Sequence, residues 1–395
     1  MLAILAPGQG SQKPGFLTPW LDVPGVSERL RWWSVAAGVD LVHLGTEADA
    51  EEIKDTARTQ PLLVAAALAA AEQLPLYDVS VVAGHSIGEV AAAAIAGSFT
   101  PEQAMLFAGE RGRQMAAACA AEPTGMSAVL GGDEPAVLAA LEVAGLTPAN
   151  RNGAGQIVAA GSLAGLEKLA ANPPAGARVR PLSVAGAFHT PYMAPAEQAL
   201  EAVAGGITAS DPQRLLLSNA DGTAVPTGSD LVQRLVRQVT TSVRWDLCMG
   251  TLADLGVSAV IELAPAGVLA GLVKRQLKGE NAPEILSLNT PDDLAAARDL
   301  IARHGEPAKQ PVAEPGVGFQ VSVAGAAGTF QRTADLAEGA SVKAGQVIGQ
   351  IVARQATTEV TARGAGVLVE WLAHDEDPVA QGQPIARIAK IGEDA

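Results

Sequence analysis

The stretch VSVVAGHSIGEVAAAAIAGSF, residues 79–99, decides how the first part of the chain folds. An apolar run leads into Gly84-His85-Ser86-Ile87-Gly88, and an alanine-rich segment follows, with Glu89 near its start. This order predicts a buried strand, a sharp turn and a helix. The turn is either a plain connection or a nucleophile elbow, which holds Ser86 exposed while the glycines let neighbouring backbone pass close by. The flanking strand and helix favour the elbow.

The composition sets the class of protein. The chain has 395 residues, of which 48% are hydrophobic and 17% charged, so it can bury the cores of about two or three domains. With 27 basic and 42 acidic side chains, its net charge of −15 argues against nonspecific nucleic-acid binding and against a polybasic membrane contact. No apolar run reaches the roughly 20 residues that span a bilayer, and the segment MLAILAPGQGSQ lacks a basic leader. We expect a cytoplasmic protein.

The cysteine count excludes two kinds of site. Cys119 and Cys248 are the only cysteines, so the chain has no disulfide framework and no zinc-ligand spacing. We expect no structural or catalytic metal and no redox cofactor.

Residues 1–304 alternate short apolar runs with longer alanine-rich stretches. Buried strands are predicted at LAILAP (2–7), VSVVAG (79–84), LLLSNA (215–220) and SAVIELAP (258–265). Helices are predicted at TQPLLVAAALAAAEQL (59–74), AAAIAGSFTPEQAMLFAGERGRQMAAACA (92–120) and PDDLAAARDLIARHG (291–305). This alternation predicts an α/β domain with a mainly parallel, hydrolase-like sheet.

Within that domain, residues 124–185 look like a unit of their own. Strands are predicted at GMSAVLG (125–131), GQIVAAG (155–161) and RVRPLSV (178–184), with helices between them at EPAVLAALEVAG (134–145) and SLAGLEKLAAN (162–172). This order is typical of an inserted α+β subdomain of the split-βαβ, ferredoxin-like type.

The pattern changes after residue 304. Prolines and glycines in residues 305–317 indicate a linker. Short alternating strands then follow between glycine turns, at FQVSVAG (319–325), GTFQR (328–332), ASVKAGQVIGQIV (340–352), TTEVTARGAGVLVEWLA (357–373) and QPIARI (383–388). Residues 318–389 are therefore predicted to form a small all-β domain.

A serine nucleophile needs a nearby base, and the chain has five histidines. His189 lies in a glycine-containing turn after an apolar strand, which is where catalytic residues often lie. His85 adjoins Ser86, and adjacent residues on a turn usually point apart. His43, His304 and His374 have ordinary helical or acidic surroundings. His189 is the leading candidate base on context alone.

Six motifs in order resemble malonyl-CoA:acyl carrier protein transacylases and the related acyltransferase domains of polyketide synthases. They are PGQGSQ (7–12), TQPLL (59–63), AGHSIGE (83–89), ERGRQM (110–115), GAFH (186–189) and LSNADG (217–222). One such motif would be weak, but six in register over residues 1–304 are a strong signal.

The resemblance implies a role for each matching residue. Ser86 would attack the thioester carbonyl of malonyl-CoA, and His189 would take its proton and return it to the leaving CoA thiol. A backbone carbonyl steadies the histidine in this family, and the matching residue is Gln238. The oxyanion donors would be the backbone N–H groups of Gln9 and Ile87.

The resemblance also implies how substrate is recognised. Arg111 would bind the free carboxylate of malonyl through paired hydrogen bonds, although most arginines at such positions are solvated helix residues. Phe188 goes with malonyl rather than methylmalonyl in the polyketide relatives. Gln60 and Asn219 match positions that line the family pocket.

Two stretches differ from the family pattern or admit a second interpretation. GQGSQ also fits a phosphate-binding glycine loop, but it lacks the lysine of a P-loop and the third glycine of a dinucleotide fingerprint. Relatives usually have Glu-x-Gly-Pro-Gly where this chain has ELAPAG (262–267), so that turn is expected to differ slightly.

Acyl carrier proteins are acidic, so a local basic patch would suit one as a partner. Arg178 with Arg180, or KRQLK (274–278), are candidates. Each is equally well an ordinary solvated cluster of charges.

Residues 318–389 resemble a biotinyl/lipoyl carrier domain of the barrel-sandwich type. Such domains present a lysine at a hairpin tip, and here Gln355 occupies the matching position, while Lys343 lies on a different turn. An amide cannot be biotinylated or lipoylated by the usual ligation. We expect a carrier fold that carries nothing, which either docks a protein partner or is a fused remnant.

The predicted function is ping-pong transfer of malonyl from malonyl-CoA to the phosphopantetheine thiol of acyl carrier protein, for fatty acid biosynthesis. Three alternatives stay open: a polyketide-type malonyl transacylase, a thioester hydrolase that uses the same Ser86 and His189, and a non-catalytic scaffold.

Overall fold

The structure is a computed structural model that describes residues 1–306, 319–334, 336–353, 356–362, 364–381 and 383–390. The chain divides into two compact units, Met1–Pro311 and Val312–Ala395. The predicted linker residues 307–317 and the position of Gln355 lie outside the described residues.

The first unit contains two sheets and a large set of helices. Its strands are β1 (Leu2–Ala6), β2 (Val81–Gly84), β3 (Thr124–Gly131), β4 (Thr147–Arg151), β5 (Gln156–Ser162), β6 (Ala177–Pro181), β7 (Leu215–Leu217), β8 (Ala259–Glu262) and β9 (Glu284–Ser287). Its helices are α1 (Val26–Ala37), α2 (Leu41–Thr46), α3 (Thr56–Ala71), α4 (Gly88–Ile95), α5 (Pro101–Ala121), α6 (Glu134–Ala144), α7 (Leu163–Ala171), α8 (Ala194–Ala204), α9 (Gly228–Arg237), α10 (Trp245–Asp254), α11 (Val268–Gln276) and α12 (Leu294–His304).

The main sheet is parallel, with strand order β7-β2-β1-β8-β9. Side chains of β1 alternate between two hydrophobic cores: Leu2 and Ile4 pack into one, and Ala3 and Leu5 into the other. Helices therefore cover both faces of the sheet, which explains why its strands are continuous apolar runs. This confirms the predicted α/β class.

The inserted sheet has the order β4-β5-β3-β6 and is antiparallel. Helices α6 and α7 close a separate small core that includes Val129, Leu141, Ile157 and Leu166. The chain order β3-α6-β4-β5-α7-β6 has one strand more than the sequence predicted. The extra strand, β4, lies at the edge of the sheet and contains Pro148, which is tolerated there because edge strands have N–H groups without ladder partners.

Two elements of the large domain also differ from expectation. The predicted single helix over 92–120 is two helices, α4 and α5, because Gly97 adopts φ 82° and Thr100 caps the second helix in a capping box with Gln103. Strand β9 was not predicted at all. In the described part of the chain, every helix is too short or too polar to cross a membrane.

The second unit is all-β, as predicted. Its strands are β10 (Phe319–Val323), β11 (Gly328–Arg332), β12 (Ser341–Val342), β13 (Val347–Val352), β14 (Thr357–Thr361), β15 (Gly366–Trp371), β16 (Pro378–Val379) and β17 (Pro384–Lys390). They form two four-stranded antiparallel sheets, β10-β17-β15-β12 and β14-β13-β11-β16. The sheets enclose a core built around Phe330, Ile351, Leu368 and Ile388.

Candidate active site

The turn between β2 and α4 is a strained elbow with Ser86 at its apex. Ser86 has φ 52°, a left-handed conformation that costs free energy in a residue other than glycine. A Cβ atom on Gly84 would lie 2.0 Å from the carbonyl carbon of Gly88, and one on Gly88 would lie 2.1 Å from the carbonyl oxygen of Ala6. Only glycine fits at these two positions, so the G-x-S-x-G spacing is a steric requirement of this turn.

His189 lies against the elbow in a geometry suited to a general base. Its Nε2 is 2.8 Å from Ser86 Oγ, and its Nδ1 is 2.7 Å from the backbone oxygen of Gln238. A carbonyl oxygen only accepts, so Nδ1 carries the proton and Nε2 is free to accept one from Ser86. Burial, reinforced by the positive charge of Arg111, lowers the pKa of His189 to about 3. The imidazole is therefore neutral near pH 7.

Arg111, on α5, is only 1% exposed and lies beneath the nucleophile. Its Nη1 donates to Gln60 Oε1 at 2.7 Å, and its Nη2 donates to Gln238 Oε1 at 2.8 Å and to Ser86 Oγ at 3.3 Å. Its Nε–H is buried and has no partner in the described residues. Burial lowers the pKa of Arg111 to about 10, so it is a cation at neutral pH with an unused donor.

Asn219 has a different position from the one expected. It is fully buried and does not line the cavity. Its Oδ1 accepts the N–H of Ser86 at 2.7 Å, and its Nδ2 donates to the carbonyl of Gly84 at 2.7 Å. The prediction that Asn219 contacts substrate is therefore corrected: both ends of its side chain brace the elbow.

Two further groups were missed from the sequence, which marked only the backbone of Gln238. The Gln238 side chain donates from Nε2 to Glu89 Oε2 at 2.5 Å. Glu89 is 1% exposed, and its Oε1 accepts the N–H of Asn219 at 3.2 Å. Burial raises the pKa of Glu89 to about 7. The only sequence signal for Glu89 is an acidic residue in the first turn of a helix, which usually indicates a favourable helix-dipole contact.

The predicted oxyanion donors lie on either side of Ser86. Gln9 follows β1, and Ile87 follows the nucleophile; both line the cavity. A Cβ on Gly8 would lie 2.7 Å from the carbonyl oxygen of His85, so the loop after β1 runs directly against the elbow. Within residues 1–306, the N–H groups of Gln9 and Ile87 donate to no protein acceptor. They are available to an oxyanion.

These groups open into a cavity of about 170 Å³. Its floor is polar and comes from the parallel-sheet domain, whereas its walls are mostly apolar. Phe188 and Met115 form part of one wall, and Met126 and Val158 of the inserted sheet form another. The cavity therefore lies between the two parts of the first unit and suits a small polar acyl group on an apolar arm.

The other four histidines have different surroundings. His85 lines the cavity but bonds Asn152 at 2.9 Å and packs edge-on against Trp245. His43, His304 and His374 pair with surface carboxylates, respectively Glu52, Glu284 and Asp377. In the described residues no three His, Cys, Asp or Glu side chains are grouped so as to hold a metal ion.

Both candidate basic patches are exposed. Arg178 and Arg180 lie on β6, while Lys274, Arg275 and Lys278 lie on or just after α11. Helix α11 also contributes Leu269 and Leu272 to the cavity wall. The second patch therefore lies on the same helix that lines the cavity. In the second unit, Lys343 is exposed on the turn between β12 and β13.

Two known domain families match the chain. An acyl transferase domain matches residues 5–299, and a domain described as biotin-requiring enzyme matches residues 321–388. The malonyl CoA-acyl carrier protein transacylase of Mycobacterium tuberculosis is 54% identical over 300 residues, which are 75% of this chain and 99% of that protein. The Escherichia coli protein of the same name is 34% identical over 314 residues, with the same two coverages.

Solved structures match the same part of the chain. The crystal structure of MCAT from Mycobacterium tuberculosis has a TM-score of 0.73 at 53% identity and covers 75% of this chain and 99% of that one. A malonyl-transacylase solved in complex with a holo type II PKS acyl-carrier protein has a TM-score of 0.68 at 29% identity, again over 75% and 99%. The second unit lies beyond the part of the chain that these relatives cover.

Proposed function

Because this chain belongs to the acyl transferase family of malonyl CoA-acyl carrier protein transacylases, we propose that its first unit moves malonyl from malonyl-CoA to the phosphopantetheine thiol of acyl carrier protein, for fatty acid biosynthesis. The observation that carries this proposal is the Ser86–His189 pair directly above the buried cation of Arg111. A serine nucleophile alone suits many esters and thioesters. A cation beneath it selects an acyl group that ends in a carboxylate.

Acylation begins when Ser86 Oγ attacks the thioester carbonyl carbon and His189 Nε2 accepts the hydroxyl proton. The backbone oxygen of Gln238 steadies the imidazolium that forms. The N–H groups of Gln9 and Ile87 stabilise the oxyanion of the tetrahedral intermediate. The carbon–sulfur bond then breaks, His189 returns its proton to the CoA sulfur, and malonyl stays as an ester on Ser86.

Transfer to the carrier reverses these steps with a different thiol. His189 takes the proton of the phosphopantetheine sulfur, which attacks the malonyl ester, and Ser86 leaves with the proton from His189. Because Nδ1 donates to Gln238 in both half-reactions, one tautomer of His189 serves throughout. The whole cycle requires no redox step.

Arg111 supplies the selectivity in this scheme. Gln60 and Gln238 already hold the guanidinium, but its buried Nε–H has no acceptor among the residues that the structure describes. Buried donors without partners are rare, and the malonyl carboxylate would supply the missing acceptor. An acetyl group has no such oxygen and would leave the cation unpaired. Phe188, in the cavity wall, would crowd a branched acyl group.

The test is transfer to purified holo acyl carrier protein, followed by the intact mass of the carrier. We expect one malonyl group on the holo carrier, none on the apo carrier, and none with Ser86→Ala. Rapid release of free malonate without any carrier would instead support the hydrolase alternative. A type II polyketide carrier should be assayed beside a fatty-acid carrier, since one structural relative was solved with such a partner. Faster transfer to the polyketide carrier would overturn the proposed pathway.

For the rest of the chain we propose three points. Residues 1–304 are the transferase domain, with an inserted subdomain at about 124–185, and residues 305–317 link it to the domain at 318–389. That second domain is a biotinyl/lipoyl-like fold that carries neither group, which Gln355 at the attachment position supports. Its role would then be to dock a protein partner. The protein works in the cytoplasm, which agrees with two buried, unpaired cysteines, Cys119 and Cys248.

A further inference from the structure

Glu89 is a buried carboxylate in contact with the active site, and the transfer mechanism above gives it no role. It lies in the first turn of α4, three residues after the nucleophile, and is 1% exposed. Both of its oxygens are engaged: Oε1 accepts from the Asn219 N–H, and Oε2 accepts from Gln238 Nε2. A carboxylate buried this deeply is costly, which raises the question of what its charge does.

We propose that Glu89 is a positioning residue for the malonyl-binding cation: it fixes the orientation of the Gln238 side-chain amide and through it holds Arg111. The inference rests on the proposed function, because it assigns Glu89 to the same carboxylate-binding site. It also makes Gln238 a two-sided group, since its backbone oxygen orients His189 while its side chain orients Arg111.

The orientation follows from donor and acceptor chemistry. Arg111 can only donate, an ionised carboxylate can only accept, and the Gln238 amide between them has one end of each kind. Its Nε2 faces Glu89 at 2.5 Å, and its Oε1 faces Arg111 Nη2 at 2.8 Å. The opposite rotamer would place NH₂ against the guanidinium and oxygen against the carboxylate. The negative charge of Glu89 disfavours that rotamer most strongly, because its contact is the shortest; Nε2 also lies 3.2 Å from the Ser86 backbone oxygen and 3.2 Å from Asn219 Oδ1.

Above pH 7, Glu89 and Arg111 are the two ionised groups among the titratable side chains around the Gln238 amide. Arg111, from α5, is the cation that acts on Glu89. Cys248, from α10, stays a neutral thiol, because burial raises its pKa and the charge of Glu89 raises it further. Burial lowers the pKa values of His85 and His189, so both imidazoles are neutral near pH 7. The Gln238 amide connects the two ionised groups.

The charge of Glu89 can be changed by varying the pH within the range of an ordinary enzyme assay. Burial raises its pKa to about 7, whereas the pKa of His189 is about 3. Below pH 7 the carboxyl gains a proton and can donate as well as accept, so it holds the amide less strongly and leaves the 3.2 Å contacts to Ser86 and Asn219 as the main restraints on Nε2. The malonyl-CoA kcat/KM, which reports the free enzyme, should then fall as pH falls through about 7.

The first test compares wild type with Glu89→Gln in the full chain, using malonyl-CoA and acetyl-CoA from pH 5.5 to 9. We expect Glu89→Gln to lower malonyl-CoA kcat/KM about 10- to 100-fold at pH 8, mainly through KM, and to abolish the pH step near 7. Acetyl-CoA loading should change much less. Acetyl-CoA has the same phosphates, so it controls for their titration.

The matched control is Glu262→Gln, another acid-to-amide change at a buried carboxylate. Glu262 accepts the N–H groups of Gly267, Leu269 and Ala270 at the start of α11 and does not contact Arg111. This variant should keep the pH step near 7. If Glu262→Gln also abolishes the fall in malonyl-CoA kcat/KM near pH 7, the effect of Glu89→Gln reflects a general loss of structure and the inference is wrong.

A second variant keeps the test informative if Glu89→Gln folds poorly. Gln238→Met keeps the backbone oxygen that orients His189 but removes the amide. It should weaken malonyl-CoA loading selectively, and adding Glu89→Gln to it should change kcat/KM less than twofold, because both act through one link.

Three results would overturn the inference: equal losses for both acyl groups, an unchanged pH step in Glu89→Gln, or fully multiplicative effects in the double variant. A wild-type protein that forms no malonyl adduct would instead overturn the proposed function. If wild type loads malonyl and Glu89→Gln has the same kcat/KM and pH profile as wild type, only the role of Glu89 is contradicted.

Discussion

Two positions, one in each unit, can be compared: Ser86, whose surroundings the structure describes, and Gln355, which is known from the sequence. The turn between β2 and α4 holds Ser86, which contacts His189, Arg111 and Asn219. The connection between β13 and β14 has Gln355 in the sequence where carrier domains have a lysine. The first turn brings reactive groups together in the structure, whereas the second has, by its sequence, no lysine at the matching position.

This difference separates residues that stabilise the fold from residues that carry out the chemistry. The second unit is held by a core that includes Phe330, Ile351, Trp371 and Ile388, and a carrier lysine would not belong to that core. In the first unit the reactive groups are themselves buried, so Arg111 and His189 are part of the packing. The core of the second unit therefore forms without a carrier lysine, whereas replacing Arg111 or His189 would change buried packing as well as activity.

The largest expected effect comes from removing His189, the proposed general base beside Ser86. His189→Ala should lower malonyl transfer by about 10⁴-fold or more, because Ser86 Oγ loses its proton acceptor. Single-turnover transfer to the carrier measures this. His43→Ala is the control: it removes a surface imidazole paired with Glu52 and should stay within about twofold. An activity for His189→Ala within tenfold of wild type would contradict the assigned base.

The next largest effect is expected from a variant that removes the Arg111 cation but keeps the Ser86 nucleophile. Arg111→Ala should lower malonyl-CoA kcat/KM by about 10²- to 10³-fold, because the substrate carboxylate would be buried without a partner. Loading from acetyl-CoA should not fall in parallel. Arg113→Ala, on the same helix and paired with Glu110 at the surface, is the matched control and should have little effect. Parallel losses for both substrates would show that Arg111 only supports the structure.

A third experiment measures what the buried Glu89 costs the fold. Its pKa is raised from 4.5 to about 7, so between these values the folded state binds more protons than the unfolded state. Stability should therefore fall as pH rises from about 4.5 to 7, by about 3 kcal/mol from this group alone. Denaturant unfolding measures this. Between pH 4.5 and 7, the free energy of unfolding of Glu89→Gln should rise relative to that of wild type by about 3 kcal/mol. A difference that is constant with pH would contradict the raised pKa.

The smallest expected effect concerns the second unit. A protein that ends at Glu306 should load and transfer malonyl within about twofold of the full chain, because the acyl transferase match ends at residue 299 and a curated relative is matched over 99% of its length by 75% of this chain. Steady-state kcat and KM of both proteins measure this. A kcat/KM at least tenfold below that of the full chain would contradict this prediction, since the second unit would then take part in malonyl transfer.

The residues that meet at the candidate site could be identified from the sequence because they lie in ordered motifs. Ser86, His189, Arg111 and Gln60 meet at one cavity, as their motifs implied. The Gln238 side chain and Glu89 could not be predicted, because their contact depends on how the end of α9 meets the start of α4. Asn219 was assigned to substrate for the same reason: sequence shows that a residue is near the site, but not which way it faces.

The fold was predictable where local patterns and tertiary packing agree. The buried strands β1, β2 and β8 are continuous apolar runs, and the sequence shows them clearly. Strand β4 contains Pro148 and Asn150, which disfavour strands, and it forms because its pairing with β5 supplies the hydrogen bonds. The break between α4 and α5 was missed because the alanine-rich pattern continues through Gly97.

The central claim is that Ser86 carries malonyl over the cation of Arg111, and the intact mass of the protein after brief exposure to malonyl-CoA tests it most directly. Wild type should gain one malonyl group, Ser86→Ala none, and Arg111→Ala far less. The untreated sample should show neither biotin nor lipoyl on the second unit. A wild-type protein that gains no mass, or a Ser86→Ala protein that gains as much as wild type, would contradict the account.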